Sequence, residues 1–167
     1  MHTALDRDPA GFDEHESKFV AQIRQHGWFR TGVQGKMGLP SFSYTTGFWC
    51  TLGFPEIVVF SLKPEAAHDL VRQIFGAVRA GERLGFGKRA GGILSKLDVA
   101  LLPVDKRHYT EHLGWSRWFY GGDDFPSVQL VWPDRQNRFP WEGAFDGDYA
   151  RAQPNLTDDS WAPALQA

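Results

Sequence analysis

The run EIVVFSL at 56–62, followed at once by a helix-period segment from Pro64 to Val78, most restricts what this chain can fold into. The run is β-branched and apolar without alternation, which predicts a strand buried on both faces. Pro55 marks its start. Pro64 sits where a first helical residue needs no amide donor, and Glu65 suits the positive helix end. Ala67, Leu70, Val71, Ile74, Phe75 and Val78 then recur at helical spacing, and Gly81 predicts the C-terminal cap. A doubly buried strand needs cover on two sides, and this helix supplies one of them. His68, Asp69, Arg72 and Arg79 fall on its other face and read as solvated.

The remaining elements follow from the same signals. Asp13 and Glu16 have capping-box spacing, and Phe19, Val20 and Ile23 lead to His26-Gly27, so a helix is predicted over 13–26. Residues 28–34 read as a strand. Phe42, Tyr44, Thr46 and Phe48 alternate, predicting a strand over 41–48 with those four on one face. The glycine-rich segment from Gly81 to Gly92 reads as a hairpin or loop. VALLPV at 99–104 and 127–132 read as strands, and 105–113 as a short helix. The fold class expected is therefore α+β: one domain, with a mixed or antiparallel central sheet of about five or six strands and two or three helices. Residues 1–12 read as a loose arm, 13–145 as the domain, and 146–167 as a tail on the surface.

Composition sets outer bounds. The net charge is −2, with Lys and Arg dispersed, which speaks against a general nucleic-acid partner. No run approaches a membrane span and the N-terminus has no leader-like apolar core, so a cytoplasmic protein of bacterial type is expected. Cys50 is the single cysteine, which rules out an internal disulfide and a multi-cysteine zinc site. Thirteen Phe, seven Trp and four Tyr can build a large part of the core, or line a pocket or interface.

Short motifs are mostly weak. His108-Tyr109-Thr110-Glu111-His112 matches H-x-x-E-H, which on a helix would place two imidazoles on one face as metal ligands. A third ligand is needed from elsewhere, and the sequence shows no segment built to give it; a solvated helix face is the plainer reading, and no cofactor is expected. Lys88 and Arg89 sit in the glycine-rich segment without a phosphate-loop pattern. Cys50, between bulky apolar neighbours, reads as structural rather than nucleophilic. WSRWFY at 115–120 holds four aromatics in six residues, which makes Trp115, Trp118 and Phe119 candidates for an interface.

SVQLVWPDRQNRFPWE at 127–142 is the most specific stretch. Its two prolines and two tryptophans predict a stiff loop packed against the body, pinned by an Arg–Asp or Arg–Glu pair. The alternative is a binding wall, with Arg138 on an anionic group and Trp132 or Trp141 as a platform.

Together with PSFSYTTGFW, FPEIVVFSL and the PEAAHDLVRQIFGAVRAG helix, this stretch resembles a bacterial family of domains of unknown function numbered 4262. The likeness spans about residues 27–142. Phe48 stands where leucine is commoner in that pattern. Phe54 stands where a histidine often precedes Pro-Glu, which speaks against an essential histidine there. The polar and marker residues that the resemblance carries over are Tyr44, Thr45, Gly47, Pro55, Glu56, Gln129, Trp132, Asp134, Pro140 and Trp141. The order of elements is also similar to suppressor-of-fused-like domains, by layout alone; that likeness implies a protein-binding, immunity-like module.

Two functions are carried forward. One is a non-catalytic binding or protein-interaction module, whose partner is a protein or a small molecule. The other is a small-molecule enzyme with a pocket built from Tyr44, Glu56, Asp134 and Arg138. Ligand-binding candidates are Tyr44, Thr45, Glu56, Gln129, Trp132, Asp134, Arg138 and Trp141. Glu56 opens a very apolar strand, so it must either lie at a rim or find partners.

Overall fold

The computed structural model describes residues 2–87, 89–94 and 97–157, of which 89–94 and 97 are described by their backbone alone. Its strands are β1 (Phe29–Val33), β2 (Phe42–Thr46), β3 (Glu56–Phe60), β4 (Arg89–Leu94), β5 (Leu97–Pro103) and β6 (Ser127–Val131). They form one six-stranded mixed sheet in the order β1-β2-β3-β6-β5-β4. The pairings are antiparallel except β3 with β6, which run parallel with Glu56 opposite Ser127. The α+β single-sheet fold is thus the one read from sequence.

β3 occupies the middle and is buried at every position, as its apolar run requires. α3 (Pro64–Arg79) covers one face of the sheet. Its Leu70, Val71, Ile74 and Phe75 pack on Ile57, Val59, Leu101, Val128 and Leu130. Each such side chain stabilises by about 1.5–3 kcal/mol when fully buried, so this face is a major part of the core. Gly81 takes a left-handed φ of 92° just past the helix, as its cap role predicts.

The opposite face carries α1 (Glu14–His26), α4 (Tyr109–His112) and α5 (Gly114–Tyr120). Phe19, Val20 and Ile23 of α1 meet Tyr44, Val58 and Phe60 from the sheet and Phe119 and Tyr120 from α5. α1 begins with the expected capping box: the Glu16 amide donates to Asp13 at 2.8 Å and the Asp13 amide to Glu16 at 3.0 Å. Short helices α2 (Phe48–Leu52) and α6 (Gly147–Ala152) complete the described elements.

Three segments differ from the sequence reading. Phe48 does not continue the β2 face; it opens α2, and its ring drops into the α3-side core. The glycine-rich segment supplies the edge strand β4, whose register shifts between Ala90 and Leu94; glycine in a strand commonly marks such an irregularity. Lys88 lies outside the described residues. The arm and tail are docked. Ala4 is fully buried, Phe12 packs on Trp118, and Gln153, Leu156 and Thr157 are buried. Apolar side chains at 4, 5 and 12 cover aromatics that would otherwise face water. The part of the tail at 158–167 lies outside the described residues.

Candidate functional site

Glu56 has no exposed surface, and its carboxylate accepts hydrogen bonds from four groups. Thr45 Oγ1 donates at 2.6 Å, Gly47 N at 2.9 Å, Trp49 N at 3.1 Å and Tyr120 OH at 2.5 Å. The two amides are the free N–H groups at the start of α2, so Glu56 caps that helix from a neighbouring strand. Gly47 makes the approach possible. Its φ is 112°, and a Cβ there would lie 2.6 Å from Gly27 O. Burial pushes the Glu56 carboxyl above the ordinary carboxylate range, and its hydrogen bonds with Thr45, Tyr120, Trp49 and Gly47 only partly offset this. Burial also drives the Tyr120 phenol well above its usual value, so it remains a donor.

Cys50 lies against the same knot. Its amide donates to Tyr120 OH at 3.4 Å and its thiol to Gly47 O at 3.3 Å. Burial, with the nearby Glu56 charge, raises its pKa despite a hydrogen bond to Thr51, which makes it a poor nucleophile. Tyr44 is buried on the α5 side, where its hydroxyl accepts from Trp115 N at 3.1 Å, and burial raises its pKa.

Asp134 stands beyond the other end of the parallel pair. It is 1 % exposed, and its carboxylate accepts from Gln136 N, Arg138 N and Arg138 Nε at 2.8–3.0 Å. Burial works to raise its pKa, but the Arg138 and Gln136 amides and the Arg138 guanidinium prevail and hold it below the usual range. The WPDRQNR turn is thereby closed on itself. Trp132 Nε1 donates to Phe60 O at 2.9 Å, fixing the end of β6 to the end of β3. Trp141 stacks on buried Phe139, with centroids 4.8 Å apart.

Two glutamine amides secure the C-terminal segment. Gln129 Nε2 donates to Pro154 O at 2.8 Å while its oxygen accepts from Leu156 N at 2.9 Å. Gln153 does the same to the backbone of Trp132, at 2.8 and 3.0 Å. Each amide replaces one rung of a strand ladder.

The four residues of the sequence-read pocket therefore do not converge. Glu56 and Tyr44 lie at the start of β3 and along β2, and Asp134 and Arg138 lie past the end of β6. A depression of about 320 Å³ beside the WPDRQNR turn touches Trp132, Asp134, Arg135 and Tyr149, yet both Asp134 oxygens are already engaged. Of the interface candidates, Phe119 is fully buried, and Trp115 and Trp118 are half-buried against Phe19. Arg7 lies over the Trp118 ring at 5.3 Å.

A groove of about 430 Å³ opens between the β1–β2 loop and α4. Its floor is Phe42, Phe60 and Leu156; His108, Glu111 and His112 form one wall, and Lys36, Leu39 and Pro40 the other. His112 packs 5.2 Å from the Phe42 ring and its Nδ1 lies 3.1 Å from His108 O. Burial, with the Arg107 and His112 charges, lowers the His108 pKa and favours the neutral imidazole. Among the described residues, no group of three or more His, Cys, Asp or Glu is placed to hold a metal ion. The groove leaves little trace in the sequence, because Phe42, Phe60 and Leu156 come from three distant segments. H-x-x-E-H was the one local signal on its wall.

The family model described as "Domain of unknown function (DUF4262)" matches residues 22–146. The chain belongs to this family. No curated protein and no solved structure matched it. Of the ten residues carried over from the resemblance, six fall into two groups: Thr45, Gly47 and Glu56 at the start of β3, and Gln129, Trp132 and Asp134 around the end of β6. Among the described residues, no helix is long and apolar enough to cross a membrane.

Proposed function

We propose that this domain is a non-catalytic protein-interaction module whose recognition surface is the groove beside the β1–β2 loop. What carries the reading is the apolar rim. Met37 is fully exposed and Leu39 63 % exposed, both on the loop that walls an aromatic-floored groove. Large apolar side chains held in water next to an apolar cleft favour cover by another macromolecule. An apolar side chain of the partner would sit on Phe42 and Phe60, while Lys36 and Glu111 at the margins would meet oppositely charged groups around it. Among the described residues the two buried carboxylates, Glu56 and Asp134, already have their oxygens engaged by structural hydrogen bonds, which supports binding over catalysis.

The test is a photo-crosslinking residue placed at position 39, with position 24 on exposed α1 as the comparison, in extracts of the source cells. The expected result is one discrete protein adduct from position 39, lost in Met37→Glu. Adducts spread equally over both positions, or turnover of a metabolite by the purified protein, would overturn the proposal.

A further inference from the structure

A second concavity, of about 510 Å³, lies on the other side of the molecule between the end of α1, β1 and α3. It is lined by Gln22, His26, Trp28, Phe29, Arg30, His68 and Arg72. His68 and Arg72 belong to the helix face that reads as solvated from sequence, and the topology sets them against β1. Among the described residues that line it, four have basic side chains and none is acidic. Trp28 forms the base: it is 8 % exposed, and His68 stacks on it at 5.3 Å with 24° between planes.

Arg30 is held in place. Its chain runs along β1 over Gly32, where an added Cβ would lie 3.2 Å from the guanidinium. Nη1 donates to Ser43 Oγ at 2.8 Å, and Nε is buried without a hydrogen-bond partner. The Ser43 bond and the buried Nε fix the guanidinium in place, and its remaining N–H groups are the ones able to meet an oxyanion in the pocket. Arg72 has one acidic contact, with Asp69 at 3.5 Å, and both side chains are more than 60 % exposed. Such a surface pair is weak and yields easily to a better acceptor.

We propose that this pocket binds a phosphate monoester, with Arg30 and Arg72 on the phosphoryl oxygens and the body of the ligand beside the Trp28–His68 stack. The volume supports a ligand larger than a free anion, since pockets of 300–1,000 Å³ take small organic molecules. This site is independent of the groove and does not rest on the interaction reading.

The probes are inorganic phosphate, ribose 5-phosphate, AMP and adenosine, titrated by calorimetry and by Trp fluorescence. The expected order is AMP tightest, ribose 5-phosphate next, inorganic phosphate weakest, and adenosine unbound. Arg72→Gln, on an exposed helix position that the fold does not need, is expected to weaken AMP at least tenfold. Arg30→Gln should do the same with an unchanged circular-dichroism spectrum. Arg135→Gln makes the same charge change far from the pocket and should leave binding unaltered. Equal weakening by Arg135→Gln, adenosine binding as tightly as AMP, or no response to any phosphate would overturn the assignment.

Discussion

Glu56 and Asp134 are both carboxylates withdrawn from water at opposite ends of the same parallel strand pair, yet their environments push them in opposite directions. Glu56 is surrounded by neutral donors, and burial keeps its pKa high. Asp134 has an arginine four residues away and backbone amides from its own turn, and its pKa is low. The comparison teaches that burial alone does not fix the sign of a shift; at Asp134 the Arg138 and Gln136 amides, joined by the Arg138 guanidinium, outweigh it, and at Glu56 the donors do not. It also separates long-range from local order. The Glu56 knot joins β2, α2, β3 and α5, whereas the Asp134 knot lies mainly within one turn, with the Asp146 amide adding a longer contact at 3.4 Å.

The largest effect expected is from Glu56→Ala. It removes the acceptor of two amides and two hydroxyls, and should cost roughly 4 kcal/mol or more in urea unfolding, since each orphaned buried donor costs about 1–3 kcal/mol. A loss below about 1 kcal/mol would mean that the knot is not holding the β2–α2 turn. Gly47→Ala comes next, at about 3 kcal/mol, because it strains a left-handed position and crowds the Gly27 carbonyl. Glu56→Gln should cost about 1–3 kcal/mol, as an amide presents a donor where four donors already point.

Asp134→Asn should destabilise less and locally, read as faster hydrogen exchange confined to the turn rather than across the sheet. If exchange rose equally at Gly47 and Trp49, the two knots would not be separable. The smallest effect is in the pH dependence. The folded Glu56 pKa is raised, so its contribution is present below the ordinary glutamate value near 4.3 and is lost as pH rises through the folded pKa. The folded Asp134 pKa is lowered, so its contribution is present above about 3.9 and is lost as pH falls through the folded pKa. Stability measured against pH should lose its decline above pH 4 in Glu56→Gln and part of its acid-side loss in Asp134→Asn.

What the sequence shows depends on how local the cause is. The strand at β3, the α3 helix and the α1 capping box each rest on neighbours within a few residues, and periodicity exposes them. The Arg138–Asp134 pin is likewise local, four residues apart, and the loop composition pointed to such a pair. Tyr120 as the partner of Glu56 is 64 residues away in sequence, and nothing in WSRWFY marks it. The aromatics of that hexapeptide are covered from distant segments: Phe12 and Arg7 of the docked N-terminal segment lie on Trp118, and Phe19 of α1 packs on Trp115, Trp118 and Phe119. The basic pocket was invisible for the same reason: Arg30 and Arg72 become neighbours only through the packing of α3 beside β1.

The paired glutamine amides bear on where this unit of folding stops. A chain cut at 146, where the family match ends, would lose Gln153, Pro154 and Leu156 together. Gln129, which has no exposed surface in the full domain, would then lose both protein partners of its amide and be uncovered to water. A stable fragment is therefore expected to run past the family match by about ten residues, and 153–156 stand in for a ladder strand through glutamine side chains instead of backbone.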